Sequence, residues 1–255
     1  MNGFVVFYGG DASGKHGLWT TDGTALGTRE IVPGTQGTQD LGPYNFISMG
    51  SYALFAGKDA SGKVGLWRTD GQGGGAHTFE LLPGTQGTVS LSPSGVTKLG
   101  SKALFQGWDS SAGIGVWISD GTAAGTMEIV SGQQSQDPKI LINLSPGDFV
   151  VNRDRVAFAG YDFTGTRGLW LTDGTKSGTR EIAPGQQGQF SLQPGPITAF
   201  GKGWVFSGLD SSGKAGMWAT DGTTSGTIEI LSGSQNLYQV SKIVTRAELP
   251  KSVAF

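Results

Sequence analysis

Apolar residues in this chain come in short alternating runs, never in a helical period. The second period shows the pattern. Asn45–Met49, Tyr52–Ala56, Val64–Thr69 and Thr78–Leu82 are runs of five or six residues. They are separated by Gly50-Ser51, by Gly57 to Lys63, by Asp70-Gly71 and by Pro83-Gly84. Runs of this length bounded by Gly, Pro, Asp and Ser predict β-strands. No stretch carries apolar residues at helical spacing over ten residues. Four strands per period are therefore expected throughout.

The period itself is visible without an alignment. Trp19, Trp67, Trp117, Trp170 and Trp218 stand 48, 50, 53 and 48 residues apart, each three residues before an Asp-Gly. Phe7, Phe55, Phe105, Phe158 and Phe206 recur upstream, each four residues before Asp11, Asp59, Asp109, Asp162 or Asp210. Downstream recur Glu30, Glu80, Glu128, Glu181 and Glu229. Gln36, Gln86, Gln134, Gln187 and Gln235 follow six residues after them. A fixed period near 50 marks a repeat architecture. Four antiparallel strands repeated radially make a β-propeller. The expectation is an all-β chain: one domain over residues 1–255, a single five-bladed propeller. The first repeat lacks its strand one, and Ser241–Thr245 resembles that strand. This predicts that the terminal segments pair beside Gly3–Phe7 and close the ring, removing exposed edges. Ser252–Phe255 then reads as a surplus strand.

Composition narrows the picture. Glycine reaches 45 of 255 residues, charged residues only 15%, and the formal charge is −2. Glycines at fixed repeat positions read as turns. Without a basic run, nucleic acid is not an expected partner. No apolar stretch approaches the roughly 20 residues of a membrane span. With no cysteine, disulfides and thiol chemistry are excluded. The chain opens into a strand, and no signal peptide is read at its start.

The segment Leu-Trp-x-x-Asp-Gly-Thr-x-x-Gly-Thr, carried by residues 18–28, 116–126, 169–179 and 217–227, resembles the E-L-W-x-x-D-G-T repeat of bacterial proteins. Gly17, Gly65, Gly115, Gly168 and Gly216 stand where that pattern has glutamate, and the second copy departs after Gly71. The resemblance implies a large secreted or cell-surface protein. In architecture the chain also resembles five-bladed propeller lectins, whose blades each carry a sugar site.

Five kinds of residue are candidates. The tryptophans suit inter-blade packing more than sugar stacking. Asp22, Asp70, Asp120, Asp173 and Asp221 read as turn residues. Asp11, Asp59, Asp109, Asp162 and Asp210 are either Asx-turn residues or ligand contacts. One carboxylate per loop is poor provision for calcium, which takes about six to eight oxygens, so no metal is expected. The five glutamines either bond a neighbouring blade's backbone or offer an amide to a ligand hydroxyl. Topology puts them on one rim with the Asp loops, and Trp108, Tyr161 and Phe163 add aromatic surface there.

The leading functional expectation is multivalent, non-catalytic carbohydrate binding. Its sites are Gln36, Gln86, Gln134, Gln187, Gln235, the five loop aspartates, Trp108 and Tyr161. Glycans or a polyvalent surface ligand would be its partners, with no cofactor and a monomeric chain. The alternative is a protein-interaction or structural module of a larger surface protein. A glycosidase needs converging carboxylates, and among the expected inner strands only Asp148 is acidic.

Overall fold

The computed structural model describes residues 3–32, 35–36, 39–133 and 142–232. Among them there is no helix; every regular element is a strand. Four sheets have four antiparallel strands in simple sequence order. They are Tyr44–Ser48, Ala53–Lys58, Val64–Thr69 and Thr78–Leu82; Ser94–Leu99, Lys102–Trp108, Ile114–Ser119 and Met127–Val130; Gly147–Asn152, Arg155–Tyr161, Arg167–Thr172 and Arg180–Ala183; and Gly195–Phe200, Gly203–Leu209, Ala215–Thr220 and Ile228–Leu231. A further sheet, first in the chain, has three described strands, Val5–Gly10, His16–Thr21 and Arg29–Val32. The expected strand one at 241–245 and the tail at 252–255 lie outside the described residues. The chain forms two compact units, Met1–Gln133 with three sheets and Gln134–Phe255 with two.

One register repeats in all five sheets. Strand two faces strand three so that Phe7, Phe55, Phe105, Phe158 and Phe206 stand opposite Trp19, Trp67, Trp117, Trp170 and Trp218. Four of the five ring pairs are stacked, with centroids 6.1–6.3 Å apart. Such pairs contribute about 0.5–1.5 kcal/mol beyond the area they bury. Across the other ladder each Trp faces a Glu, and one residue later strand four carries an extra residue. That bulge residue is Ile31, Leu81, Ile129 or Ile182 in the first four sheets, buried in each case. A bulge bends its strand and re-aims one side chain; here it turns an apolar residue into the core.

Within each unit, packing between consecutive sheets uses the same five positions. In Met1–Gln133, Leu18 and Ile31 of the first sheet meet Leu41, Phe55 and Trp67; Leu66 and Leu81 of the second meet Leu91, Phe105 and Trp117. In Gln134–Phe255, Leu169 and Ile182 meet Leu192, Phe206 and Trp218. The connecting leucine also fastens the backbone. The carbonyls of Leu41, Leu91, Leu144 and Leu192 accept from the N–H groups of Lys58, Trp108, Tyr161 and Leu209, at 2.7–2.9 Å. Trp67, Trp117, Trp170 and Trp218 donate Nε1–H to the carbonyls of Gly57, Gly107, Gly160 and Gly208, at 3.0–3.3 Å. The indole is thus satisfied where it is buried.

The Asp-Gly-Thr-x-x-Gly-Thr segment is a self-contained turn. Asp120 Oδ1 accepts from the N–H and hydroxyl of Thr122, at 2.8 and 2.7 Å. Thr122 Oγ1 accepts from Gly125 N, and the Thr126 hydroxyl donates to Thr122 O. Ser119 and Thr126 share a hydroxyl bond across the strand ends. The first, fourth and fifth copies repeat these contacts. Gly23, Gly71, Gly121, Gly174 and Gly222 all take φ between 84° and 92°, which a side chain disfavours. The turn glycine also receives a side chain from the preceding sheet: Phe4 lies over Gly71, Tyr52 over Gly121 and Arg155 over Gly222. Arg155 is itself set over the Trp204 ring, 5.5 Å from its centroid.

Phe158 is fully buried against Trp170. Phe158→Ala should therefore cost about 3–5 kcal/mol, read from urea denaturation midpoints. Phe163→Ala, at a side chain 69% exposed, should change stability by no more than about 0.5 kcal/mol.

Candidate functional site

The residues that the sequence marked out fall on two kinds of loop. The first joins strands two and three and carries the recurring aspartate. Asp11 Oδ1 accepts from Ser13 N, Ser13 Oγ and Lys15 N at 2.7–2.9 Å. Asp59 repeats this with Ser61 and Lys63. Asp162 does so with Thr164 and Thr166, and Asp210 bonds the N–H groups of Ser212 and Lys214. Asp109 bonds Ser111 N and Gly113 N, and its second oxygen takes Ser131 Oγ and Gly132 N at 3.2 Å. The Asx-turn reading holds in all five loops. The Ser13 hydroxyl holds the Asp11 carboxyl below the usual range, and the Lys214 N–H does the same for Asp210.

The second loop joins strand four to the next strand one. It is a small hairpin that the sequence did not announce. Thr85–Gln86 pairs with Val89–Ser90, Gln186–Gln187 with Phe190–Ser191, and Thr35–Gln36 with Gln39–Asp40. Gln86 Nε2 donates to Pro83 O at 3.2 Å, and Gln187 Nε2 to Pro184 O at 3.0 Å. Of the two readings of these glutamines, the bond to a neighbouring blade's backbone is not what Gln86 and Gln187 make; their amides bond inside their own hairpins. Pro83 and Pro184 directly follow strand four, and the amide three residues on reaches back to their carbonyls. Gln134, Gln235 and the side chain of Gln36 lie outside the described residues.

The two loops do meet. A Cβ on Gly87 would approach Ser110 O to 3.1 Å, and one on Gly188 would approach Ser211 O to 3.3 Å. Each hairpin therefore rests on the aspartate loop of the next sheet. Tyr161, Phe163 and Phe190 are exposed by 38%, 69% and 43% on the loops of the Gln134–Phe255 unit. Phe190 lies across Gly213 of the following loop. Trp108 is half-buried, its backbone N–H bonded to Leu91 O.

Beneath the rim lies a carboxylate that sequence reasoning passed over. Glu80 Oε1 accepts from Gly84 N at 3.0 Å and Glu181 Oε1 from Gly185 N at 3.2 Å. In the third sheet Gly132 N serves both Glu128 Oε1 and Asp109 Oδ2. The recurring glutamate also explains a glycine. A Cβ on Gly65, Gly115, Gly168 or Gly216 would run into the Glu80, Glu128, Glu181 or Glu229 carboxylate. Spacing offered the signal, since each of these glycines lies two residues before the Trp that faces the Glu. Burial pushes the Glu181 carboxyl up to about 7, the Asp162 carboxylate adds to this, and the Gly185 N–H partly offsets it. Glu80 is raised by burial and by Asp59.

Elsewhere the polar groups pair locally. His16 Nδ1 lies 3.0 Å from Asp40 Oδ2 and its ring stacks on Tyr8. His77 Nδ1 lies 2.7 Å from Asp70 Oδ2. Among the described residues no three His, Asp or Glu side chains gather as a metal site requires. Among the same residues no helix is long and apolar enough to cross a membrane. Within Met1–Gln133 a cavity of about 540 Å³ runs beside strand Val5–Gly10, lined by Phe4, Val5, Val6, Phe46, Ile47 and Tyr52 among others.

No family model matches the chain, and no curated relative does. Solved structures do. The acylaminoacyl peptidase of Pyrococcus horikoshii is similar at 11% identity and a TM-score of 0.48, over 92% of this chain and 44% of that one. TolB from Acinetobacter baumannii is similar at 11% identity and 0.41, over 90% of this chain and 53% of that one. The β-propeller domain of the Trilobed protease from Pyrococcus furiosus is similar at 14% identity and 0.44, over 90% and 67%. The chain thus spans about half the length of the peptidase and of TolB. Identities this low say nothing of activity.

The glutamate predicts a pH dependence with a definite sign. In the unfolded chain Glu181 titrates near 4.5, and the fold holds its proton up to about 7. Its stabilisation is complete below the unfolded value and is lost as pH rises through the folded one. Thermal midpoints should fall from about pH 5 to about pH 8, and Glu181→Gln should flatten that slope. An equal slope in both proteins would assign it to other groups.

Proposed function

We propose that the five repeats form one five-bladed propeller, ring-closed by its terminal segments, and that the molecule is a non-catalytic module binding a protein partner through its rim. One observation carries this reading: the recurrent rim side chains are already engaged by their own loops. The described loop aspartates bond their own backbone, and Gln86 and Gln187 bond Pro83 and Pro184. Their fivefold recurrence was the motive for equivalent sugar sites, and turn formation accounts for it without a ligand.

What remains free to make contacts does not repeat. Phe190 stands in the connection 184–193, which rests on the Thr166 backbone at one side and on Ser211 at the other, and Phe163 stands in the same loop as Thr166. Exposed aromatics on loops anchored by hydrogen bonds suit protein recognition, because little ordering is left to do on binding. The reading includes no catalytic step, since the rim carboxylates are engaged in turns and hairpin supports.

The test is a paired capture from extracts of the source cells. The native chain should retain a discrete protein that the Phe163→Ser, Phe190→Ser variant loses while its melting curve stays unchanged. Silence on a glycan array should accompany this. Specific array binding that vanishes when Gln86 and Gln187 become Ala, in a folded variant, would restore the carbohydrate reading and end this one.

A further inference from the structure

Phe163 and Phe190 stand on two segments joined by a pair of carboxyl groups. Phe163 follows Asp162, and Phe190 stands in the connection that Gly185 opens. Asp162 is 6% exposed, buried like Asp109, whereas Asp11, Asp59 and Asp210 are half-buried. Asp162 Oδ1 accepts from Thr164 N, Thr164 Oγ1 and Thr166 N, and Oδ2 accepts from the Thr166 hydroxyl. Glu181 Oε1 accepts from Gly185 N. Gly185 lies so close on Thr166 and Arg167 N that a Cβ has no room there. The two carboxyls thus hold opposite sides of one joint, between the 162–166 loop and the root of the hairpin. In the third sheet the same two positions converge on one donor: Asp109 Oδ2 and Glu128 Oε1 both take Gly132 N.

Their surroundings drive the two groups apart. Burial opposes the Asp162 charge, but the hydroxyl and backbone donors of Thr164 and Thr166 outweigh it and hold that carboxyl below its usual range. Burial and the Asp162 charge push Glu181 up to about 7, against the Gly185 N–H. Asp162 is therefore the anion of the pair, and Glu181 the member that keeps a proton. The arginines beside the joint are turned elsewhere. Arg167 directs its guanidinium to Asp148 Oδ2 and Pro194 O, at 3.5 and 3.4 Å, and Arg180 to Gly222 O, at 3.5 Å. Strand Arg167–Thr172 presents Gly168 and Trp170 to the glutamate, and residues 184–193 contain no titratable side chain.

We propose that Asp162 and Glu181 form a proton-held latch between the 162–166 loop and the 184–193 connection. With the proton in place, one charge sits at the joint, and loop and hairpin root stay in contact. When it leaves, two like charges face each other out of water. The latch is closed below the folded value of Glu181 and opens as pH rises through it. Asp162 cannot turn away without giving up the bonds that shape its loop, and the Glu181–Gly185 bond strengthens on ionisation. The relief falls on the contact between Thr166 and Gly185. Phe163 on one side of that contact then shifts against Phe190 on the other. The consequence for partner binding rests on the rim reading above; the opening of the joint does not.

Backbone hydrogen exchange on the full chain reads the joint and needs no partner. Protection, corrected for the intrinsic pH dependence of exchange, is compared at about pH 5.5 and about pH 8.5. In the native chain, segments 162–167 and 184–193 should lose protection at least about tenfold at the higher pH, the change that one unit of pKa represents. Strand Lys102–Trp108 should lose less. Glu181→Gln, which keeps a neutral acceptor for the Gly185 N–H, should hold its protection at both pH values. Asp162→Asn keeps the turn's acceptor oxygen and removes the facing charge, so the midpoint of the loss should move to lower pH; this variant decides the matter if Glu181→Gln fails to fold. Unchanged protection in the native chain, an equal loss in Glu181→Gln, or a loss as large at 102–108 overturns the latch, and partner capture still decides the rim reading. A joint that opens as described, with the captured protein retained equally by the Phe163→Ser, Phe190→Ser variant, supports the latch and ends the rim reading alone.

Discussion

The pairing of a phenylalanine on strand two with a tryptophan on strand three sets everything else in these sheets. It fixes the register of the central hairpin, since a slip of one residue would turn both rings to the opposite face. The indole then needs a hydrogen-bond acceptor, and the carbonyl of the glycine two residues past the phenylalanine supplies it. That glycine has no side chain, so the connecting leucine packs down on it; a Cβ there would come within 2.8–2.9 Å of Leu41, Leu91, Leu144 or Leu192. Behind the tryptophan, the bulge in strand four buries an Ile or Leu, and Ile31, Leu81 and Ile182 pack with the sheet that follows. Each step follows from accommodating one large aromatic that has one donor.

Much of this was legible in the chain because the constraints are local. Asp120, Gly121, Thr122, Gly125 and Thr126 spell a turn whose hydrogen bonds close within eight residues, counting Ser119. The spans Val64–Thr69 and Thr78–Leu82 emerged with the bounds their alternation predicts. The glutamine hairpins escaped notice because each strand has only two residues, too short to show any period. The Glu181 environment escaped for a different reason. Its burial and its nearness to Asp162 arise between the 162–166 loop and a residue in strand four, and no window of sequence joins them.

The carboxylates illustrate that recurrence can have a structural source. A polar residue seen five times invites a ligand, and Asp11, Asp59, Asp109, Asp162 and Asp210 looked like five contact points. Each is engaged by its own loop, at bond lengths of 2.8–3.1 Å to the nearest backbone N–H groups. To bind a sugar hydroxyl or a cation strongly, such an aspartate would have to give up bonds that shape the loop presenting it. The glutamates beneath are more constrained still. At Glu80 and Glu181 burial and a nearby aspartate favour the protonated form, and the glycine N–H works against them.

The second repeat shows that what is kept from copy to copy is hydrogen-bond satisfaction and not the letters. Its turn has Gln72 where the others have threonine, and two more residues before strand four. Asp70 Oδ1 still accepts from the N–H two residues on, and its other oxygen is met by His77 Nδ1. Thr69 and Thr78 still share a hydroxyl bond, and Thr78 still donates to the turn's backbone, now at Gln72 O. A position that can change only when a partner changes with it is under structural constraint. By the same logic, positions that change with no such compensation are released from the fold and open to selection for contact. On the rim the residue after the loop aspartate is Ala12, Ala60, Ser110, Phe163 and Ser211 in turn. The hairpin position three past the glutamine is Val89 in the second repeat and Phe190 in the fourth. In a repeat protein of this kind the sheets are specified by what recurs, and recognition has to be sought where the copies disagree.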